Sequence, residues 1–202
     1  MPLTKIKSEH KKPSVMVQLD TDVGAIVIEV NTAAAPKTSA YFLGLVDQNL
    51  FSDASFYRSG ASFASDTSQS QLVQGGVLHH IMSGIERTAI SEIGVPLLKE
   101  IETTDATGLQ HQLATVSFAR DLFATGYVIP ELFICLGELP QCDSYGRTEP
   151  DTLGFPAFAK VVSGMNVVQE IANRDTGGAT TMSALQGQML SHPVAILRVF
   201  RC

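Results

Sequence analysis

One cation stands out as able to do chemistry without a cofactor. Arg58 ends the run Ser55-Phe56-Tyr57-Arg58, and Gln74-Gly75-Gly76 follows after a polar loop of Ser, Ala and Asp. Read as a strand, residues 56–58 alternate, so Phe56 and Arg58 share one face and Tyr57 takes the other. A guanidinium among apolar groups is costly to leave alone, so it needs a partner or a pocket mouth. Gln74 returns a polar side chain to that region, and the paired glycines let the chain turn sharply behind it. Such a group donates hydrogen bonds but does not shuttle protons, because guanidinium keeps its charge. The plainer alternative is a surface Arg at a strand end.

The other reactive residue types form no recognisable constellation. There is no G-x-S-x-G elbow for a serine nucleophile. Thr176-Gly177-Gly178 lacks the Lys-Ser/Thr of a phosphate cradle. Of the five histidines, His79 and His80 are adjacent and on a strand would point opposite ways. His111 precedes a strand and reads as a hydrogen-bonded structural residue. No H-x-x-x-H or Cys/His cluster suggests a metal, and no cofactor is expected. The carboxylate pairs Glu100/Glu102 and Asp143/Asp151 read as solvated rims, and Phe118, Phe133 and Phe158 as core.

Elements must position these groups. Residues 15–20 and 25–30 alternate as two strands around the turn Thr21-Asp22-Val23-Gly24. Ala35-Pro36-Lys37 opens a helix with Pro in its first turn, and Phe42, Leu45 and Val46 form its buried stripe to about Leu50. Strands are expected at 55–58, 72–74, 114–119, 132–136, 156–162 and 194–200. A second helix spans 165–172 with Val167, Val168 and Ile171 buried. Residues 77–113 are mixed, with a short strand near Pro96-Leu97-Leu98, and 137–155 form a long loop. Many strands with two good helices argue for a closed or sandwiched antiparallel sheet rather than a βαβ repeat.

The 202 residues suit one domain, assigned to 15–202 behind a flexible basic arm at 1–14. A net charge of −6 without a Lys/Arg cluster beyond that arm disfavours a nucleic-acid partner. No apolar run is long enough for a membrane span. Three cysteines without CxxC spacing imply thiols rather than a disulfide framework. The arm lacks an apolar stretch, so the cytoplasm is expected, or the periplasm if a leader had preceded the chain. Nothing requires more than a monomer.

With both halves read, the sequence resembles the cyclophilin family of peptidyl-prolyl cis-trans isomerases, in a divergent bacterial branch. The matching runs are G-A-I-V-I-E-V (24–30), A-A-P-K-T-S-A-Y-F-L-G-L-V (34–46), F-Y-R (56–58), Q-G-G (74–76), L-A-T-V-S-F-A-R (113–120), L-F-I-C-L (132–136) and F-A-K-V-V-S-G-M-N-V-V (158–168). The resemblance implies a mainly β fold, an eight-stranded antiparallel closed barrel capped by two α-helices. It implies rotation of X-Pro bonds in peptides and in unfolded or partly folded protein clients, assisting folding. Arg58 matches the catalytic Arg, Gln74 the residue that steadies it, and Phe133 the floor of the proline pocket. Leu72 and Ala119 match an apolar pocket residue and a backbone contact on the rim.

Departures from the family pattern surround these matches. Gln71 stands where a second pocket aromatic is expected, and Phe63 in the long preceding loop is the candidate to replace it. Gln141 lies near the usual Trp, Cys142 replaces an aliphatic residue, and Phe155 stands where a His is usual. Arg120 and Glu131 replace neutral amides and are expected to pair with each other across the groove, or Glu131 with Arg58. All five are assigned to substrate binding. The departures sustain a second expectation, a proline-peptide binding module with little turnover.

Overall fold

Alternation builds the sheet. The computed structural model describes residues 14–61, 70–85, 89–92, 94–122 and 124–202. In β1 (Val15–Thr21) the buried residues are Val17, Leu19 and Thr21, and in β2 (Gly24–Val30) they are Ile26, Ile28 and Val30. The two pair antiparallel around Asp22-Val23, and the Thr21 hydroxyl donates to the Gly24 carbonyl at 2.7 Å. Gly24 has φ +145°, and a Cβ there would lie 2.7 Å from Val167 Cγ2. Glycine thus lets a later helix close onto the hairpin.

Pro36 occupies the first turn of α1 (Pro36–Asp47), which buries Phe42, Leu43, Leu45 and Val46. Its free N-terminal amides meet a distant carboxylate: Lys37 N and Thr38 N donate to Glu102 at 3.1 and 2.7 Å. Glu102 is therefore a helix cap favoured by the macrodipole, and Glu100 pairs with the Lys37 ammonium. The reading of a solvated rim is corrected for Glu102, while Glu100 is exposed at the surface as expected.

The chain continues through β3 (Ser55–Gly60), β4 (Leu72–Gly76), α2 (His79–Met82), α3 (Thr104–Thr107), β5 (Thr115–Arg120), β6 (Val128–Cys135), β7 (Ala157–Ser163), α4 (Met165–Ala172) and β8 (Met189–Arg201). Among the described residues eight strands close an antiparallel barrel in the order β1-β2-β7-β5-β6-β4-β3-β8. Phe42, Phe118 and Phe158 share its core, with the Phe118 and Phe158 rings stacked at 4.8 Å. Val167, Val168 and Ile171 of α4 enter the same core.

Two strands begin earlier than their apolar runs. β6 starts at Val128, so Pro130 and Glu131 lie inside a strand, against their usual preference. β8 starts at Met189 although it contains Pro193. Its pairing jumps from Arg58–Met189 to Phe56–Val194, and Pro193, which has no amide to donate, falls in that interruption. His79 and His80 lie on α2 rather than a strand, with their rings stacked at 5.6 Å.

Candidate active site

The site stands on the outside of the barrel and begins with a bulge. β3 pairs Phe56 with Gly75 and then Arg58 with Gln74, leaving Tyr57 as the extra residue. A bulge breaks the two-residue period and re-aims the side chains beyond it. Phe56 accordingly points into the barrel core, while Tyr57 belongs to a separate apolar cluster. Tyr57 and Arg58 both reach Gln74. The expectation that Phe56 and Arg58 share a face is corrected.

The register then lays Arg58, Gln74 and Phe133 side by side across β3, β4 and β6. Neutral oxygens hold four of the five N–H groups of the Arg58 guanidinium. Nη1 donates to Gln74 Oε1 at 2.6 Å, and Nη2 to the Ala61 carbonyl at 2.7 Å. Nε and Nη2 both donate to Gln188 Oε1, at 3.1 and 2.7 Å. Burial pulls its pKa below the ordinary arginine value, and the group remains cationic at neutral pH. A Cβ on Gly60 would lie 2.0 Å from Gln188 Oε1, so Gly60 leaves the room in which Gln188 sits. Gln188 lies 130 residues from Arg58 in the chain, and no local motif announces it.

The outer face of β6 alternates with the core. Leu132 and Ile134 point inward, while Phe133 and Cys135 join Leu72, Leu139, Cys142 and Phe155 in an external apolar wall. Phe155 stands edge-on to Phe133 at 5.4 Å, and His111 stacks on Phe133 at 5.5 Å with 11° between the planes. His111 is 1% exposed and bonded to Asp143 at 2.6 Å through Nδ1. Asp143 is therefore an anchor and not a rim residue. The Arg147 guanidinium lies 4.5 Å over the Phe155 ring, a cation–π contact. Burial pushes the Cys135 thiol pKa up, so that thiol is unreactive. Phe133 is 3% and Phe155 7% exposed. A ring reaches this wall only as neighbouring side chains give way.

Arg120 and Glu131 do not pair with each other, nor Glu131 with Arg58. Arg120 forks onto Asp151 at 3.0 and 2.8 Å and donates to the carbonyls of Gly126 and Gly154 at 2.9 Å each. This ties the segment before Phe155 to the end of β5. Glu131 is wholly buried and accepts from Tyr57 OH at 2.5 Å and Leu78 N at 2.6 Å. Burial raises its carboxyl pKa to about 7, and raises that of Tyr57 well above an ordinary phenol, helped by the adjacent carboxylate. Gly75 and Gly76 are strand residues rather than a turn. A Cβ on Gly76 would lie 2.4 Å from Glu131 Oε1, so the glycine is needed for clearance.

The remaining expected residues lie around this centre. Ala119, half-buried in β5, packs against the cluster containing Tyr57, Leu78 and Ile129. Gln141 and Cys142 sit on the 3-10 turn Pro140–Cys142, Gln141 partly exposed and Cys142 buried. Phe63 lies outside the described residues. Among the described residues no group of three His, Cys, Asp or Glu side chains is placed to hold a metal ion. No helix among them is long and apolar enough to cross a membrane.

A closed eight-stranded antiparallel barrel in this order is the cyclophilin fold, and the comparisons agree on the family. The family model for cyclophilin type peptidyl-prolyl cis-trans isomerases matches residues 16–199. The chain belongs to that family. It is 27% identical over 163 residues to the peptidyl-prolyl cis-trans isomerase cyp18 of Streptomyces antibioticus, covering 81% of this chain and 86% of that protein. It is 25% identical over 169 residues to a peptidyl-prolyl cis-trans isomerase of Acinetobacter baylyi, covering 84% and 78%. A Cryptosporidium parvum cyclophilin type isomerase shares the fold, with TM-score 0.63, 15% identity and coverage of 94% and 98%. A second crystal structure of that protein, in the presence of the dipeptide Ala-Pro, gives TM-score 0.60, 16% identity and coverage of 91% and 96%.

Proposed function

We propose that the protein rotates X-Pro bonds in peptides and in unfolded or partly folded protein clients, with Arg58 as the catalytic residue. Resonance in the peptide C–N bond sets a barrier of about 18–20 kcal/mol. The two prolyl isomers lie close in energy, so lowering the barrier suffices. In the twisted state the prolyl nitrogen becomes pyramidal and basic. A fixed cation that donates hydrogen bonds there, and holds the neighbouring carbonyl, stabilises what the ground state lacks. Leu72, Phe133 and Phe155 form the apolar wall that receives the proline ring, and Ala119 supplies a backbone contact on the rim. Arg120 acts by bracing Gly154, while Gln141 and Cys142 shape the adjoining turn. The Ala-Pro used with the Cryptosporidium relative is the minimal ligand of this type.

One observation carries the reading. Arg58 is clamped by Gln74, Gln188 and Ala61 O, all neutral, beside Phe133, so its orientation is fixed while its charge is not cancelled. The test is turnover of an X-Pro peptide with thermal unfolding in parallel. Arg58→Ala removes most turnover and keeps the fold. Arg58→Lys also fails, because a point charge does not span two acceptors as a planar fork does. Wild-type turnover in Arg58→Ala overturns the role. The departures from the family pattern at Gln71, Gln141 and Phe155 favour a second reading, a proline-peptide binder with little turnover. That reading takes over if the wild type binds X-Pro peptides but turns over none of a broad panel.

A further inference from the structure

Glu131 occupies an unusual place for a carboxylate. On the outer face of β6 it lies between the cluster containing Ile129 and Tyr57 and the wall containing Phe133. Its Oε1 accepts from Leu78 N, and its Oε2 from Tyr57 OH. The Tyr57 oxygen accepts from Gln74 Nε2 at 3.1 Å, and Gln74 Oε1 accepts from Arg58 Nη1. Each bond dictates the polarity of the next. An ionised Glu131 is acceptor only, so Tyr57 must donate to it. The phenol oxygen then faces the Gln74 amino group, which leaves the Gln74 carbonyl for the guanidinium.

We propose that Glu131 and Tyr57 are positioning residues of the isomerase site: the ionised carboxylate sets the polarity of the chain Glu131–Tyr57–Gln74–Arg58 and thereby the pose of the guanidinium. The inference rests on the role given to Arg58. Proton uptake from solvent reverses the chain. Oε1 stays committed to Leu78 N, so the proton resides on Oε2 and is donated to Tyr57. The phenol must then donate to Gln74, whose amide turns over to accept. Its amino group now faces Arg58 Nη1, donor against donor. Gln188 and Ala61 O still hold the other edge, so Arg58 loses its pose and not its place.

Other groups facing this chain do not duplicate the switch. Arg58 keeps its charge, and the phenols of Tyr57 and of Tyr41 on α1 titrate above their ordinary range. His79 of α2 stacks on Tyr57 at 5.3 Å, and burial, with His80 beside it, lowers its pKa below the usual histidine value. Glu131 is raised to about 7, so both of its states are populated near neutrality.

The test is the pH profile of kcat/KM on an X-Pro peptide without titrating groups, for wild type, Glu131→Gln, Tyr57→Phe and His79→Gln. It is paired with an NMR titration of the Arg58 Nε–H resonance, which needs no turnover. Wild-type kcat/KM is expected to rise through a midpoint near 7. Glu131→Gln donates to Tyr57 through its own amide and mimics the reversed chain. It loses the inflection and, at high pH, falls roughly tenfold through kcat, about one charge-assisted hydrogen bond. Tyr57→Phe also loses the inflection, and His79→Gln keeps it. An inflection retained in Glu131→Gln, or wild-type kcat/KM at high pH, overturns the proposal. If the wild type lacks turnover, the role of Arg58 fails separately. The Arg58 resonance then decides: a wild-type midpoint near 7 supports the coupling, and its absence overturns it.

Discussion

Arg120→Met tests how the apolar wall is held. The side chain is 2% exposed, and its four hydrogen bonds end on Asp151, Gly126 O and Gly154 O. These bonds are not equal. The Asp151 side chain is 33% exposed, so its carboxylate rehydrates when the partner goes, and solvent screening leaves the pair about 1 kcal/mol or less. Gly126 is only partly buried and its carbonyl is open to water in the variant. The Gly154 bond is buried, and a buried acceptor left without a donor costs about 1–3 kcal/mol. Met refills most of the apolar volume, so the net loss is about 3 kcal/mol, or roughly 6–12 °C in Tm for a chain of this size. Gly154 precedes Phe155, which leans on Phe133, so the variant raises KM for X-Pro peptides and leaves kcat nearly intact. The acid limb changes too. The Arg120 hydrogen bond holds Asp151 below its ordinary carboxylate value. A depressed pKa contributes stability above the unfolded value that is lost as pH falls through the folded one. Arg120→Met therefore flattens the stability profile below about pH 4. Calorimetric scans and peptide kinetics read all three effects. A Tm shift under about 2 °C, less than one unsatisfied buried carbonyl is worth, refutes the reasoning.

Phe133→Ala removes a ring that is 3% exposed and touches His111 and Phe155; unfolding experiments are expected to show a loss of about 3–5 kcal/mol, with KM rising more than kcat falls. Glu131→Gln changes the pH dependence of stability. The carboxyl moves from 4.5 to about 7 on folding, so its favourable contribution is complete below the unfolded value and is lost as pH rises through the folded one, about 3 kcal/mol in all. Urea unfolding near pH 4.5 and pH 8 should show that fall in the wild type relative to the variant; parallel profiles would contradict it. Cyclosporin-type macrocycles are expected to bind poorly, because the chain has no Trp, with Gln141 near the position the family pattern often gives to Trp, and has Phe155 where that pattern expects His, which removes an indole donor and reshapes the rim. Submicromolar binding by calorimetric titration would overturn that expectation.

The barrel was legible because its strands bury one side each. Val17, Leu19, Ile26 and Ile28 alternate with less buried neighbours, and α1 and α4 show their stripes of Phe42, Leu45 and Val46 and of Val167, Val168 and Ile171. The row Arg58, Gln74 and Phe133 was legible through its motifs, and the register sets those residues side by side. What failed was whatever depends on register or on distant chain. An extra residue at Tyr57 leaves no mark in composition, so strict alternation placed Phe56 and Arg58 together. Gly75 and Gly76 read as a turn because the carboxylate that requires Gly76 comes from β6. Glu131 read as a groove residue because the sequence does not say that both faces of β6 are covered. Gln188, Asp151 and Glu102 act on partners 130, 31 and 64 residues away, and only the closed barrel brings them together.

Arg58 and Arg120, two of the arginines near the wall, show why partner chemistry, rather than presence of charge, singles out Arg58. Arg120 meets a carboxylate in a bidentate fork, so its field is largely cancelled and its donors are spent on holding backbone. Arg58 is just as firmly held, but by two side-chain amides and a peptide carbonyl. Among the described residues it forms no ion pair with a carboxylate. The negative charge of its network sits three hydrogen bonds away, at Glu131, beyond Gln74 and Tyr57. A carboxylate placed directly on the guanidinium would compete with the prolyl nitrogen for the same protons. Removed to the end of a neutral relay, it orients the donor without occupying it. Gln74→Glu puts this to the test, since it keeps the shape and brings the charge into contact. Tighter holding of Arg58 together with a fall in kcat is the expected outcome, and kcat at or above wild type would show that the charge of Arg58 is not what the twisted amide requires.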